Sequence, residues 1–237
     1  MSKTYFIAGA NGGTGQQLAK SLKSQGHTVI GSARDISKLD YDLDEKVELD
    51  VMDQGSIEQA VEKINEFEIN GFAYCIGSID MMPFKKAPLD KFKASFDLNV
   101  LGVVSIMQGI VDNLKKNKGA VVLFSTIAAR SGFANHTVVS TAKGAVEALG
   151  ISLAADFAPD IRVNVIAPSL SDTPLAKMIT SSEQMASSIA KMHPIPRLGT
   201  SKDLADMAEF LLSEKSDWMT GQVLHLDGGR STLRTKG

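Results

Sequence analysis

A chain of 237 residues with 43 % hydrophobic and 22 % charged residues has an ordinary globular balance and suffices for one large α/β domain. Its net charge of -2 gives no field to draw in nucleic acid or an anionic membrane, and the lysine run "KKNK" at 115–118, without interleaved aromatics, reads as a solvated loop between a helix and a strand. The lone cysteine, Cys75, excludes an intramolecular disulfide and fits a reducing compartment.

Taken in chain order, short apolar runs alternate with longer helical patterns. The runs at 4–9, 28–33, 46–50, 71–77, 120–126, 162–168 and 222–227 read as buried parallel strands. Helices are expected at 14–25, 53–66, 89–116, 138–157, 174–191 and 202–212, with a stub between the second and third strands. The alternation predicts a Rossmann-type doubly wound sheet of about seven strands with helices on both faces. There is no linker, repeat or low-complexity tract, so 1–237 is expected to be a single domain. The N-terminal stretch "MSKTYFIAGANGG" lacks a signal-peptide pattern, and no apolar run is read as long enough to span a membrane. A soluble cytoplasmic protein is the expectation.

The first strand runs into "AGANGGTG" and an amphipathic helix. Gly9, Gly13 and Gly15 are spaced G-x-x-x-G-x-G. Glycines there let the backbone approach a pyrophosphate, and the following helix N-terminus offers it amides and a positive dipole end. Dinucleotide binding is the reading.

From this loop onward the chain resembles the short-chain dehydrogenase/reductase family. The resemblance continues through "LDV" (49–51), "FDLNVLG" (96–102), "LFSTIAA" (123–129), "STAKGAVEAL" (140–149), "RVNVIAPSLSDTPL" (162–175) and "TGQVLHLDGG" (220–229). It implies a cofactor site including Gly9, Asn11, Gly13, Thr14, Gly15, Asp50, Val51, Gly77, Lys143, Pro168 and Thr173. It also implies a homotetramer or homodimer assembled through the helices 89–116 and 138–157 and the last strand. A small-molecule substrate is expected, with no nucleic acid or membrane partner.

The end of the second strand decides which nicotinamide cofactor fits. Here Ala33 is followed by Arg34, whose guanidinium can pair with a 2′-phosphate, and Ser32 adds a hydroxyl. Asp35 is read as the N-cap of the stub helix rather than a ribose ligand. NADP(H) is expected over NAD(H).

The resemblance implies a catalytic Tyr-x-x-x-Lys pair with a serine and an asparagine. Asn99 and Lys143 stand at their positions, and Thr126, with Ser125 beside it, stands for the serine. The tyrosine position is Val139, which cannot donate a proton. Two other donors are open. His136 precedes Lys143 by seven residues, the Tyr-x6-Lys spacing of the enoyl-thioester reductases, and imidazole titrates near neutrality. Lys143 could also act through a water or a ribose hydroxyl. The remaining tyrosines, Tyr5, Tyr41 and Tyr74, lie far along the chain. Tyr74 stands in "YCIG", where the family often has "NNAG", and reads as a change in the cofactor wall. Ser169 replaces a glycine after Pro168. His27 and His225 read as structural, His193 as a surface residue, and no metal spacing is seen. The methionines of the segment 175–192, a lid over the substrate entrance, read mostly as packing.

The expected activity is NADP(H)-dependent reduction of a carbonyl or activated double bond, carried by Asn99, Thr126, Lys143 and possible donor His136. The rival readings are a catalytically weak or inactive NADP(H)-binding protein, serving as a sensor or assembly subunit, and an enoyl-reductase-like enzyme using His136.

Overall fold

The computed structural model describes residues 2–234. Seven strands are β1 (Thr4–Ala8), β2 (Thr28–Ala33), β3 (Glu45–Glu48), β4 (Gly71–Tyr74), β5 (Ala120–Phe124), β6 (Arg162–Pro168) and β7 (Val223–Leu226). They form one parallel sheet in the order β3-β2-β1-β4-β5-β6-β7. The order reverses direction between β1 and β4, which opens a crevice above their C-terminal ends.

Helices cover both faces. On one lie α2 (Gln54–Ile64), α4 (Gly102–Lys116) and α5 (Thr137–Phe157), which bury Ile57, Ile106 and Val146. On the other lie α1 (Gly13–Ser24) and α6 (Ser201–Leu212), which bury Leu18, Leu22, Ala208 and Leu211. Strands covered on both sides need apolar residues at nearly every position, and that is why the interior strands β1, β4 and β5 are continuous apolar runs, while the edge strand β3, Glu45–Glu48, buries only Val47. The lysine run is half loop: Lys115 and Lys116 form the last turn of α4, where positive charge suits the helix C-terminus, and Asn117 and Lys118 make the turn toward β5.

Two long helices also differ from expectation. Leu89–Lys116 and Thr137–Phe157 do reach the length and mean hydropathy of a membrane span. Their apolar residues are drawn into the core against the sheet, Val103, Ile110 and Leu114 from one and Val138, Ala142 and Ala154 from the other. The segment 174–191 is not one helix but the short turns Pro174–Ala176 and Lys177–Thr180 and a helix Glu183–Ala190. Ser182 ends the continuity by capping the second piece, its Oγ accepting from Met185 N at 3.3 Å.

The helix expected over 89–116 contains a wide turn. α3 (Leu89–Phe96) passes through a π-helical stretch, Asp97–Leu101, into α4. Side chains take up carbonyls here. Asn99 Nδ2 donates to Ser95 O at 2.8 Å, and the Tyr74 hydroxyl donates to Leu98 O at 2.5 Å. Tyr74 is 2 % exposed and packs edge-on against Phe72, which stacks on Phe6. It is therefore a core residue that props the wide turn from beneath, not a change in the cofactor wall. Replacing Tyr74 with Phe leaves Leu98 O without its buried donor. Urea unfolding of Tyr74→Phe should show a loss of about 1–3 kcal/mol, and an unchanged midpoint would mean the turn holds without the hydroxyl.

Candidate active site

The crevice holds a cleft of about 420 Å³ above the ends of β4, β5 and β6. Its wall begins at the glycine loop. A Cβ on Gly15 would collide with the Gly9 carbonyl, so only glycine lets α1 seat this closely on the loop. Gly13 is equally tight, its hypothetical Cβ lying 2.7 Å from Pro174 Cδ. The N-cap of α1 is Gly12, which brings no side-chain cap and leaves the first-turn amides free to bind an anion. Gly12, Gly13 and Thr14 line the cleft, and Asn11 is exposed beside them. The sequence reading missed Tyr41, whose hydroxyl donates to Ala10 O at 2.7 Å and braces the loop.

At the end of β2, Arg34 is exposed and, among the described residues, in no ion pair. Asp35 caps the turn Ile36–Lys38, accepting from Ser37 N at 3.1 Å and Ser37 Oγ at 2.6 Å. Its carboxylate is held below the usual range by those hydroxyl and amide donors. Ser32 is fully buried with an unpartnered hydroxyl, so it faces the interior rather than the groove, because strand alternation turns it into the core beside Ile30. Asp50 accepts from Met52 N at 3.0 Å, and Val51 packs beneath Gly102.

The floor of the cleft is polar. Asn99 is 0 % exposed, yet its Oδ1 has no hydrogen-bond partner. Lys143, from α5, donates to Phe124 O at 2.8 Å. Both converge on Gly77: a Cβ there would lie 3.1 Å from Asn99 Oδ1 and 3.2 Å from Lys143 Nζ. Burial lowers the Lys143 ammonium to about 8, with Cys75 opposing weakly. Burial likewise raises the Cys75 thiol to about 12, so it stays neutral.

Thr126 lines the cleft, with Oγ1 3.3 Å from Ala128 N and 3.5 Å from Pro168 O. Ser125 is committed elsewhere: its hydroxyl lies 2.8 Å from Glu147 Oε1, and Arg130 Nε holds Oε2 at 2.6 Å. Val139 is 5 % exposed and forms the wall where the tyrosine was sought. His136 is also on the wall, at the N-cap of α5. Its Nδ1 lies 2.7 Å from Ala134 O and so carries the hydrogen. Nε2 is left free, and it holds a proton only as imidazolium.

Pro168 and Thr173 line the far wall. The lid methionines are not packing: Met178 is 94 % exposed, and Met185 and Met192 are half exposed, because the short helices of the lid turn only one face downward. His193 is not on the surface. It is buried, with Nδ1 2.9 Å from Ile189 O and Nε2 2.8 Å from Ser169 Oγ. His27 accepts from Lys3 N at 3.2 Å, and His225 meets Ser231 Oγ at 2.9 Å. Arg230 lines the cleft and was missed, since one cation after "DGG" carries no pattern.

Residues 8–231 match the family model described as Enoyl-(Acyl carrier protein) reductase. The chain belongs to the short-chain dehydrogenase/reductase family. L-xylulose reductase of Bos taurus is 28 % identical over 94 % of each chain. The 7alpha-hydroxysteroid dehydrogenase of Escherichia coli is 28 % identical, with 96 % of this chain and 93 % of that one covered. Among solved structures, a short-chain type dehydrogenase/reductase from Mycobacterium ulcerans superposes with a TM-score of 0.91 at 28 % identity, covering 99 % of this chain and 92 % of the other. ElxO with NADP bound gives 0.90 at 29 % identity, covering 98 % and 100 %, and a Tyr-to-Phe variant of it is solved with NADPH. This family member has the features such a cofactor needs. A glycine cradle that any Cβ would fill lies at one end, and an orphaned amide oxygen beside a buried ammonium lies at the other.

The depressed Lys143 value has a consequence for stability. Between about pH 8 and the free lysine value near 10.4, the unfolded chain holds one more proton at this residue than the folded protein. Stability therefore rises with pH across that window. Urea unfolding from pH 7 to 10.5 should show a wild-type minus Lys143→Met difference that rises with pH. A flat difference would place the amine in contact with solvent.

Proposed function

We propose that this chain acts as one dinucleotide-binding domain and is an NADP(H)-dependent oxidoreductase that reduces a carbonyl or an activated double bond. The observation that carries the reading is the convergence of Lys143 Nζ and Asn99 Oδ1 on Gly77 at the cleft floor. A nicotinamide bound there supplies the reducing equivalent to the substrate. Lys143 binds the ribose hydroxyls and adds positive charge beneath the reacting oxygen. Asn99 offers its free oxygen to a water that carries protons, and Thr126 orients the substrate oxygen. Arg34, unpaired and exposed, favours the 2′-phosphate of NADP(H), while Asp35 is already spent on its own turn.

With Val139 on the wall, the proton comes from His136 Nε2 as imidazolium, or from Lys143 through a water. The enoyl-reductase-like version of this reading draws support from the His136 spacing and from the description of the matched family model. The loop "AGANGGTG" favours the standard branch. A second reading, an NADP(H)-binding sensor or assembly subunit, is favoured by Val139 itself, since a protein with nothing to protonate keeps Lys143 and loses the tyrosine. The exposed apolar side chains of Leu89, Leu101 and Ile151 on the long helices support a homodimer or homotetramer. A cytoplasmic setting suits the single thiol.

Two measurements test this. Arg34→Glu should weaken NADPH binding by roughly tenfold or more while changing NADH binding little; equal losses would sink the NADP(H) assignment. NADPH oxidation against ketones, aldehydes, quinones and enoyl thioesters should be lost in both His136→Ala and Lys143→Ala if the loop imidazole is the donor. Loss confined to Lys143→Ala assigns the proton to lysine and water. No turnover in the wild type, with tight NADPH binding, favours the binding protein.

A further inference from the structure

The substrate end of the cleft is walled mostly by Ile, Leu, Met and Phe side chains, and its polar groups include His136, Ser169 and one permanent charge. Arg230 presents a guanidinium to this space. Among the described residues it has no carboxylate within 4.0 Å. Burial lowers its tendency to stay charged, with Asp227 opposing, but a guanidinium does not lose its proton in proteins. The charge is thus partly desolvated and, among the described residues, touched by no carboxylate, with Asp227 acting only from a distance, an arrangement that stability alone does not favour.

The surroundings hold this group in place. Its Cζ lies 4.8 Å from the centroid of the Phe133 ring. Nη1 reaches Ser169 Oγ at 3.5 Å, and Nη2 reaches Met192 Sδ at 3.5 Å. Ser169 is itself fixed. His193 Nδ1 faces the carbonyls of Ile189 and Ala190, so it carries the hydrogen, and Nε2 then accepts from the Ser169 hydroxyl. The serine lone pairs are left for Arg230. The serine that stands where the family has glycine thus orients a cation, and the buried histidine from the lid orients the serine.

We propose that Arg230 is the anion anchor of the substrate end, and that the substrate is an apolar molecule carrying a carboxylate. This rests on the functional reading above and narrows its substrate class. The planar fork matches a carboxylate, whereas a dianionic phosphate would call for a second lysine or arginine, and the one other such residue lining the cleft, Lys143, is engaged at the floor.

The test uses octanoate and its neutral isostere octanamide as probes, titrated calorimetrically into the protein with and without NADPH. Octanoate should bind roughly tenfold or more tighter than octanamide. Arg230→Gln should lose that preference and keep its octanamide affinity, and Arg230→Lys should retain part of it. Ser169→Ala, which removes only a hydroxyl, should weaken octanoate to a smaller degree and guards against misfolding of the arginine variants. Equal binding of acid and amide, no binding of either, or an unchanged preference in Arg230→Gln overturns the anchor. NADPH binding with no acid preference would leave the oxidoreductase reading standing. Acid preference without NADPH binding would do the reverse.

Discussion

The site is organised around an ammonium that is buried and, among the described residues, paired with no carboxylate. Lys143 is 7 % exposed, and the buried acid one turn further along its helix, Glu147, is held by Arg130 and Ser125. A charge taken out of water costs several kcal/mol unless dipoles or an opposite charge replace the water. Here the replacement is partial. The last carbonyl of β5 accepts from the ammonium, and Asn99 Oδ1 and Lys143 Nζ face the same point on Gly77. Three constraints follow. Glycine suits residue 77, because a Cβ would crowd both groups and one of them would have to shift. The chain must deliver Asn99 at the right depth. The remaining deficit appears as a depressed ammonium value, which marks a group ready to gain from a polar ligand.

The depth of Asn99 is set by the wide turn, and the turn is propped from the core. Phe6, Phe72 and Tyr74 form an aromatic column on adjacent strands, and the hydroxyl at its top takes the Leu98 carbonyl. Gly102 allows this, since a Cβ there would strike that same hydroxyl. A side chain in the middle of the sheet thus fixes an amide at the active site. The cost of irregular helical geometry is offset by bonds from Tyr74 and from Asn99 Nδ2.

How much of this the sequence carried depends on the range of each interaction. All seven strands were legible, the interior ones because burial on both faces writes itself into the run as near-continuous apolar residues, and the charged edge strand β3 through its place in the alternation of strands and helices. The glycine loop was legible because its constraint is local: Gly15 fails to tolerate a Cβ on account of Gly9, six residues away. The N-cap role of Asp35 was legible for the same reason. The groups misread are those whose partners are distant in the chain. Tyr74 meets Leu98, His193 meets Ser169, and Arg230 meets Phe133; no periodicity links such pairs. Ser32 was placed in the groove because its neighbours Ala33 and Arg34 are near it, but alternation along β2 sends its hydroxyl inward. The lid methionines looked like packing because the segment looked like one helix with a buried face. Once Ser182 divides it, there is too little helix to bury them.

The valine at 139 changes where protons and charge can meet in this cleft. In a site with a tyrosine there, the donor would stand directly above the lysine. Here the wall above the floor is apolar, and the protic and charged groups lie toward the loop. The ring of Phe133 stands 5.6 Å from that of His136 and 4.8 Å from the Arg230 guanidinium. One aromatic ring thus meets both the imidazole and the guanidinium, and the polar groups of this wall are set by the loop before α5 and the segment after the last strand rather than by the face of α5 that carries Lys143.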